Sequence, residues 1–253
     1  MTTPSTPSPQ VAVQDLTMAY GDDLIQKGLT FTVGRGEIFV IMGDSGGGKS
    51  TLMRHMIGLH RPAHGEVLYQ GEAFWAADDE EREALKERFG VLYQSAALWS
   101  SMTLAENVSL PLVEKRSLSP EDAGAIARLK LALVGLAGFE EHYPSEISGG
   151  MRKRAGLARA MALDPAILYL DEPSAGLDPL SSRRLDDLIL EQRESAGTTI
   201  VLVTHELASI FALADNAVFL DGERKTMIAQ GKPSDLRESP EPKVRAFLTR
   251  GGL

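Results

Sequence analysis

The feature that most constrains the fold of this chain is the segment GDSGGGKS at residues 43–50. An apolar run at 37–42 predicts a strand before it, and the pattern at 49–59 predicts a helix after it. In G-x-x-x-x-G-K-[ST], glycines let backbone N–H groups approach phosphates, the lysine reaches the β and γ positions, and the serine hydroxyl meets magnesium. The alternative is a glycine-rich turn with no ligand, but such a turn would not require lysine and serine at these two positions of the motif. We therefore predict a nucleotide phosphate site, in which Ser50 is also a magnesium ligand. The site is formed by Gly43, Ser45, Gly46, Gly47, Gly48, Lys49, Ser50 and Thr51.

A second chemical signal is the run ILYLDE at residues 167–172, an apolar strand that ends in two carboxylates. An open α/β sheet presents its site at such strand ends. Asp171 would hold magnesium through water, and Glu172 would orient and deprotonate the attacking water. The two acids could instead cap the next element, but the phosphate loop earlier in the chain favours the catalytic interpretation.

The remaining pattern predicts an α/β protein with a largely parallel sheet covered on both faces. Predicted strands occupy 11–20, 29–33, 65–70, 167–170, 198–203 and 217–220, and predicted helices occupy 76–88, 121–136, 179–194 and 206–214. We expect one domain at 11–253 behind a short disordered tail at 1–10, which is rich in Thr, Pro and Ser.

Composition excludes several classes of function. The chain has 253 residues and no cysteine, so disulfides and thiolate metal sites are excluded. Its net charge of -9 opposes nonspecific binding to nucleic acid, and we expect no nucleic-acid partner. The sequence has no apolar run of the ~18 residues that a membrane span needs and no signal-like start, so we expect a cytoplasmic protein.

The segment ISGGM at residues 147–151 resembles the signature sequence of ATP-binding cassette (ABC) ATPases, and further segments follow the order of that family. The resemblance implies ATP and Mg²⁺ as ligands. It implies that Tyr20 stacks on adenine, that Gln94 contacts magnesium and water, and that His205 contacts the γ-phosphate. Ser148, Gly149 and Gly150 would face the γ-phosphate bound by the other protomer, with Ser148 as a helix N-cap. Asp178 belongs to the segment at 174–178, which resembles the family's D-loop at the dimer interface.

The same resemblance implies a P-loop NTPase fold of the ABC ATPase type. This fold has a mostly parallel sheet core, an antiparallel β subdomain and an inserted helical subdomain at about 95–163. It also implies a head-to-tail pair with two ATP molecules in its interface. A second copy of this chain suffices for that pair, and a paralogous partner is the alternative.

Three segments, at 93–99, 148–154 and 239–248, look like those of ATPases in the Mla and mammalian-cell-entry (MCE) lipid transport systems. This implies an MlaE-type permease, an MCE-domain lipid-binding protein and phospholipid as cargo, and it allows a small STAS-type regulatory subunit. The chain would lie on the cytoplasmic face of the inner membrane as a peripheral subunit. The alternatives are an ATPase for amino-acid import or lipoprotein release, and a soluble ABC ATPase of DNA repair or translation.

Two departures from the family pattern are visible. Asp44 stands where proline is frequent, and we expect little consequence because that position contributes mainly backbone. The chain also ends soon after residues 247–248, so we expect no exchange of C-terminal tails between protomers.

Overall fold

The computed structural model describes residues 9–249. The predicted tail at 1–10 therefore lies outside the described residues except for Pro9 and Gln10. Gln10 is buried, and its backbone N–H donates to the Val33 carbonyl at 2.9 Å. Gln10 thus packs with the described part of the chain.

The strands and helices follow one another as an α/β chain. Within the described residues the strands are β1 (Val11–Tyr20), β2 (Asp23–Val33), β3 (Ile38–Gly43), β4 (His64–Tyr69), β5 (Glu72–Ala73), β6 (Phe89–Leu92), β7 (Ile167–Asp171), β8 (Thr199–Val203), β9 (Asn216–Asp221) and β10 (Thr226–Gly231). The helices are α1 (Lys49–Met56), α2 (Asp79–Lys86), α3 (Leu104–Arg116), α4 (Pro120–Leu133), α5 (Gly149–Ala160), α6 (Pro179–Ala196), α7 (Leu207–Leu213), α8 (Pro233–Leu236) and α9 (Pro242–Thr249).

The centre of the molecule is a six-stranded sheet in the order β10-β9-β3-β8-β7-β6. Neighbouring strands from β6 to β9 run parallel, and β10 pairs antiparallel with β9. Every residue of β3, β7 and β8 is buried. Such continuous burial requires both faces of the sheet to be covered, which explains why these strands read as unbroken apolar runs.

Alternate residues of β3 enter two separate cores. Phe39 and Ile41 pack toward α1 and a four-stranded antiparallel sheet of order β2-β1-β4-β5. Ile38, Val40 and Met42 pack into the other core, which is formed largely by helices. The period-2 alternation of a strand divides the two cores in this way.

Helices α3, α4 and α5 fill the region predicted as the helical insertion. The sequence did not predict α3 individually, because Pro111 in its interior argues against a helix. Its start nevertheless carries a capping box, in which Thr103 accepts from the Glu106 N–H and the Glu106 carboxylate accepts from the Thr103 N–H. That box was the sequence signal for this helix.

The layout confirms the predicted α/β class with a mostly parallel core and an antiparallel subdomain. The strands β6 and β10 were not predicted. β6 has only four residues, and β10 is a half-exposed edge strand, so neither gives a long apolar run.

Candidate functional site

The carboxyl ends of β3, β7 and β8 meet at one edge of the central sheet. Asp171, the last residue of β7, pairs in parallel register with Val203, the last residue of β8. The phosphate loop follows β3 directly, and His205 follows β8 by two residues. The topology therefore brings the predicted phosphate, acid and histidine segments together at the edge where α/β sheets bind ligands.

Two glycines allow the phosphate loop its path. A Cβ on Gly43 would collide with the Leu220 carbonyl of the neighbouring strand, so the loop leaves β3 where only glycine fits. Gly48 is the N-cap of α1 with φ of 87°, a left-handed conformation that glycine adopts without strain. The N-terminus of α1 then faces the loop, and its free N–H groups and positive dipole end suit an anion.

Lys49 folds back over this loop. Its Nζ donates to the carbonyls of Gly43 at 3.1 Å and Asp44 at 2.7 Å. Burial lowers the pKa of Lys49, and the carboxylates of Glu172, Asp44 and Asp171 act in the opposite direction. The ammonium is therefore held where phosphate oxygens could replace the carbonyl acceptors.

Ser50 and Asp171 form the pair expected around magnesium. The Ser50 hydroxyl donates to Asp171 Oδ1 at 2.8 Å, and Asp171 is buried. No cluster of three or more His, Cys, Asp or Glu side chains that could hold a metal occurs within residues 9–249. A hydroxyl, a carboxylate and the amide of Gln94 are nevertheless oxygen donors of the kind that Mg²⁺ takes together with water and substrate phosphate. The donor set thus fits Mg²⁺.

Glu172 and His205 face each other beside this pair. Glu172 Oε1 lies 2.9 Å from His205 Nδ1, while Oε2 is buried without a hydrogen-bond partner in the described part of the chain. Glu172 has φ of 47°, an uncommon conformation for a residue with a side chain. An unpaired buried oxygen and a strained backbone together suggest that this carboxylate is oriented for a ligand.

Lys153 of α5 joins two parts of the site and was missed as a site residue. Its buried ammonium donates to the carbonyl of Gln94 and, at 3.1 Å, to the carbonyl of Glu172. Burial lowers the pKa of Lys153, and nearby carboxylates, Glu172 first, act against that shift. Because both acceptors are backbone atoms, no side-chain motif in the sequence could reveal this connection.

A cavity of about 570 Å³ lies at this edge of the sheet. It is lined by residues 43–51 together with Ile25, Gln94, Glu172, His205 and Phe247. All of the predicted phosphate-loop residues therefore line one cavity with the predicted Gln94, Glu172 and His205. Phe247 of the C-terminal helix α9 was not predicted here.

Tyr20, predicted to stack on adenine, does not line this cavity. Its side chain is 45% exposed, and its ring meets His60 edge-on with centroids 5.6 Å apart. An exposed aromatic ring is free to receive a base, so its role stays a prediction.

The signature residues lie outside the cavity as well. Ser148 caps α5, and its hydroxyl accepts from the Met151 N–H at 3.2 Å. Ser148 and Gly149 are exposed, so the N-terminus of α5 is open to a ligand from outside the chain.

Asp178 has a clear structural role in this structure. Its carboxylate caps α6 by accepting from the N–H groups of Leu180 and Ser181 and from the Ser181 hydroxyl. These hydrogen bonds lower the pKa of Asp178, with the Ser181 hydroxyl as the largest cause. A contact of Asp178 with nucleotide remains a prediction.

The expectation that position 44 contributes mainly backbone is wrong. The Asp44 carboxylate forms an ion pair with Lys243 of α9, with 2.7 Å between Oδ2 and Nζ. A side chain in the phosphate loop is thus tied to the C-terminal helix.

Comparison with known proteins agrees with this geometry. A family model described as ABC transporter matches residues 26–175. The "Probable ribonucleotide transport ATP-binding protein mkl" of Mycobacterium tuberculosis is 41% identical over 238 residues, which are 94% of this chain and 66% of that protein. The chain therefore spans just under two thirds of that relative's length.

The "Intermembrane phospholipid transport system ATP-binding protein MlaF" of Escherichia coli K12 is 39% identical over 238 residues, covering 94% of this chain and 88% of MlaF. Among solved structures, the dimeric ATP-binding cassette MJ0796 bound to ADP and Pi superposes with a TM-score of 0.80 at 29% identity, covering 88% of this chain and 98% of that one. CbiO1 from Clostridium perfringens, part of the transporter complex cbiONQ, gives a TM-score of 0.82 at 27% identity over 97% of this chain and 98% of that one.

Proposed function

Because this chain belongs to the ATPases of the ABC transporter family, we propose that it drives lipid transport, with phospholipid as the cargo, through an MlaE-type permease. The observation that carries the ATPase part is the single cavity lined by the phosphate loop, Gln94, Glu172 and His205. The hydrogen-bonded pair of Ser50, which lines this cavity, and Asp171 fits Mg²⁺. The cargo rests on the resemblance to the Mla and MCE systems and on the name of the MlaF relative.

The site residues have different roles in ATP hydrolysis. The loop N–H groups and Lys49 hold the β- and γ-phosphates of ATP. Glu172 orients a water against the γ-phosphorus and accepts its proton, and His205 steadies both Glu172 and the γ-phosphate. Ser50, Gln94 and Asp171 would hold Mg²⁺, which supplies charge neutralisation when it is bound.

The active unit is a head-to-tail homodimer. Residues 148–150 do not line the cavity of their own chain, and they present an open helix N-terminus. A second copy brings that terminus to the γ-phosphate and completes two sites. The dimeric form of the MJ0796 relative supports this arrangement.

The transport partners lie in the membrane. No helix within residues 9–249 is both long and apolar enough to span a bilayer. We place the chain on the cytoplasmic face of the inner membrane, bound to the permease near Gln94. An MCE-domain protein would carry the lipid, and a STAS-type subunit would fit as a regulator.

Mutation of the proposed base tests the reaction. Glu172→Gln should lower steady-state ATP turnover by about 10²-fold or more, since general bases contribute about 10²–10⁴. Glu206→Gln is the matched control, because that carboxylate accepts from Ser182 and does not line the cavity. Turnover of Glu172→Gln near the parent rate would refute the assignment.

Purification from membranes tests the cargo. We expect the full chain to recover an MlaE-like permease with bound phospholipid, identified by mass spectrometry. Recovery of an amino-acid permease or a lipoprotein-release complex would overturn the lipid proposal. A permease carrying ribonucleotides would instead agree with the name of the mycobacterial relative.

A further inference from the structure

The phosphate loop carries a carboxylate that faces the C-terminal helix. Asp44 Oδ2 lies 2.7 Å from Lys243 Nζ, and the same oxygen accepts from the Gly222 N–H at 3.4 Å. Lys243 Nζ also lies 3.0 Å from Asp221 and 3.7 Å from Glu223. One ammonium therefore meets three carboxylates beside the loop.

The helix that carries Lys243 also reaches the cavity. Phe247, one turn after Lys243, lines the cavity, and its ring packs against Phe219 with centroids 5.4 Å apart. Val244 and Leu248 of α9 are fully buried, so the helix is anchored in the core. Lys243 is therefore held beside the phosphate loop by a helix whose position is fixed by its packing in the core.

The ion pair between Asp44 and Lys243 changes the net charge that ATP meets at the phosphate loop. ATP brings several negative charges to a loop that already carries the Asp44 carboxylate, and like charges at short range oppose binding. A lysine paired with Asp44 removes that opposition. The side chains of Asp44 and Lys243 are only about one third exposed, at 33% and 32%, so water screens the pair incompletely.

We propose that Lys243 is a positioning residue for the nucleotide: it neutralises and fixes Asp44, so that the phosphate loop accepts ATP. The C-terminal helix is thus part of the nucleotide site. This inference rests on the proposed function, because it requires ATP at the phosphate loop.

A purely structural role for Lys243 is the competing explanation, since Lys243 also forms an ion pair with Asp221, which lies outside the phosphate loop. The pair formed by Arg224 and Glu241, 3.0 Å apart, separates the two roles. It ties the residue before α9 to the same turn without touching the phosphate loop. Arg224→Met therefore removes an ion pair that tethers α9, as Lys243→Met does, but it leaves the Lys243 ammonium beside Asp44 in place.

The experiment measures the Kd of Mg·ATP by calorimetry on the full chain in a Glu172→Gln background, which prevents turnover. Lys243→Met should weaken binding by about fivefold to tenfold, the size of a like-charge contact at ~4 Å in bulk water. Lys243→Arg and Arg224→Met should bind within about twofold of the parent. In about 1 M salt, where the Debye length is ~3 Å, the ratio between Lys243→Met and the parent should shrink.

Removal of the Asp44 charge decides between the explanations. In an Asp44→Asn background, Lys243→Met should weaken binding clearly less than it does in the parent, because no carboxylate of the phosphate loop is then left unpaired. A loss of the same size in both backgrounds, or one that salt leaves unchanged, would overturn the inference and leave Lys243 as a structural tether.

A second measurement guards against misfolding of Lys243→Met. Asp44→Asn alone should bind ATP at least as tightly as the parent, because it removes a negative charge beside the phosphates and leaves Lys243 paired with Asp221. A loss of affinity in Asp44→Asn would mean that the carboxylate itself helps ATP to bind, which contradicts the inference. If the parent itself bound no ATP, the proposed function would fail first, and the two failures are thus distinguishable.

Discussion

Lys153 places one buried charge on two backbone carbonyls of the site, those of Gln94 and Glu172. Lys153→Met would remove the side-chain donor from both carbonyls, leaving the Glu172 carbonyl, among residues 9–249, with only the Ala175 N–H at 3.2 Å, and would release the segments that carry the magnesium ligand and the base. We expect kcat for ATP hydrolysis to fall about tenfold, because small misplacements of catalytic groups cost about this much or more. The KM for ATP should change little, since the phosphate loop is untouched.

Arg154 is the matched control for this prediction. It is the next residue of α5 and also donates to two carbonyls, Val134 at 2.7 Å and Gly135 at 3.0 Å, but these lie away from the cavity. Arg154→Met should lower the melting temperature without the loss in kcat. Equal losses in kcat for both variants, measured by steady-state ATPase assays, would make Lys153 merely structural.

Residues of the candidate site were predictable where the chemistry requires a fixed local spacing. Lys49 and Ser50 belong to one loop, and Glu172 follows an apolar strand, so short patterns reveal them. The roles of Lys153 and Lys243 were not predictable, because one binds backbone carbonyls and the other meets a loop from the far end of the chain. Only the folded chain brings such partners together.

Two neighbouring elements, α6 and α7, are joined by a buried acid. Ser209 donates to Asp186 Oδ2 at 2.8 Å, and Asp186 Oδ1 is buried without a partner among residues 9–249. Burial raises the pKa of Asp186 to about 6, helped by the charges of Glu206 and Asp187 and opposed by the Ser209 hydrogen bond. The ionised form is thus unfavourable in the folded state.

The pH dependence of stability follows from this shift. The folded pKa lies above the unfolded value of about 4, so the folded chain binds more protons between these pH values. The free energy of unfolding therefore falls as pH rises from about 4 to 6. Above that range Asp186 is ionised, and its destabilisation of the folded state is fully present. Asp186→Asn removes the ionisable group and should stabilise the protein by about 2 kcal/mol near neutral pH.

Thermal or urea unfolding at several pH values measures this effect. The gain from Asp186→Asn should shrink toward zero as pH falls to about 4, where Asp186 is already neutral. Asp187→Asn, at the exposed neighbouring position of α6, should give no comparable gain. A stabilisation that is independent of pH would rule out ionisation as its cause.

Predictability at the scale of elements depended on length and periodicity. The central strands and the long helix α6 were predicted close to their observed bounds, because burial on both faces or on one stripe leaves a clear pattern. α3 was obscured by Pro111, and β6 by its four residues. Tertiary packing of α3 against α4 and α5 stabilises it despite the proline.

At the scale of the whole molecule, the fold predicted from the sequence is confirmed by the likeness to the MJ0796 and CbiO1 structures. The order of the motifs carried this prediction, since each motif marks the end of a particular strand or the start of a particular helix. The motifs therefore specify a topology as well as a chemistry.

The head-to-tail dimer that we propose is also tested at this scale. With Glu172→Gln to block turnover, Mg·ATP should convert the monomer to a dimer, measured as a doubling of mass by light scattering after gel filtration. Ser148→Asp should abolish this dimer, because it adds a negative charge where the γ-phosphate of the other chain is expected. Aspartate is also a good N-cap, so α5 itself should remain intact.

Ser148→Asn separates charge from capping, since asparagine caps a helix equally well and carries no charge. This variant should still dimerise with Mg·ATP, and Ser148→Asp should still bind ATP as a monomer because residue 148 does not line its own cavity. Dimerisation of Ser148→Asp at the parent's ATP concentration would mean that the start of α5 does not face a phosphate. The open N-terminus of α5 would then need another ligand.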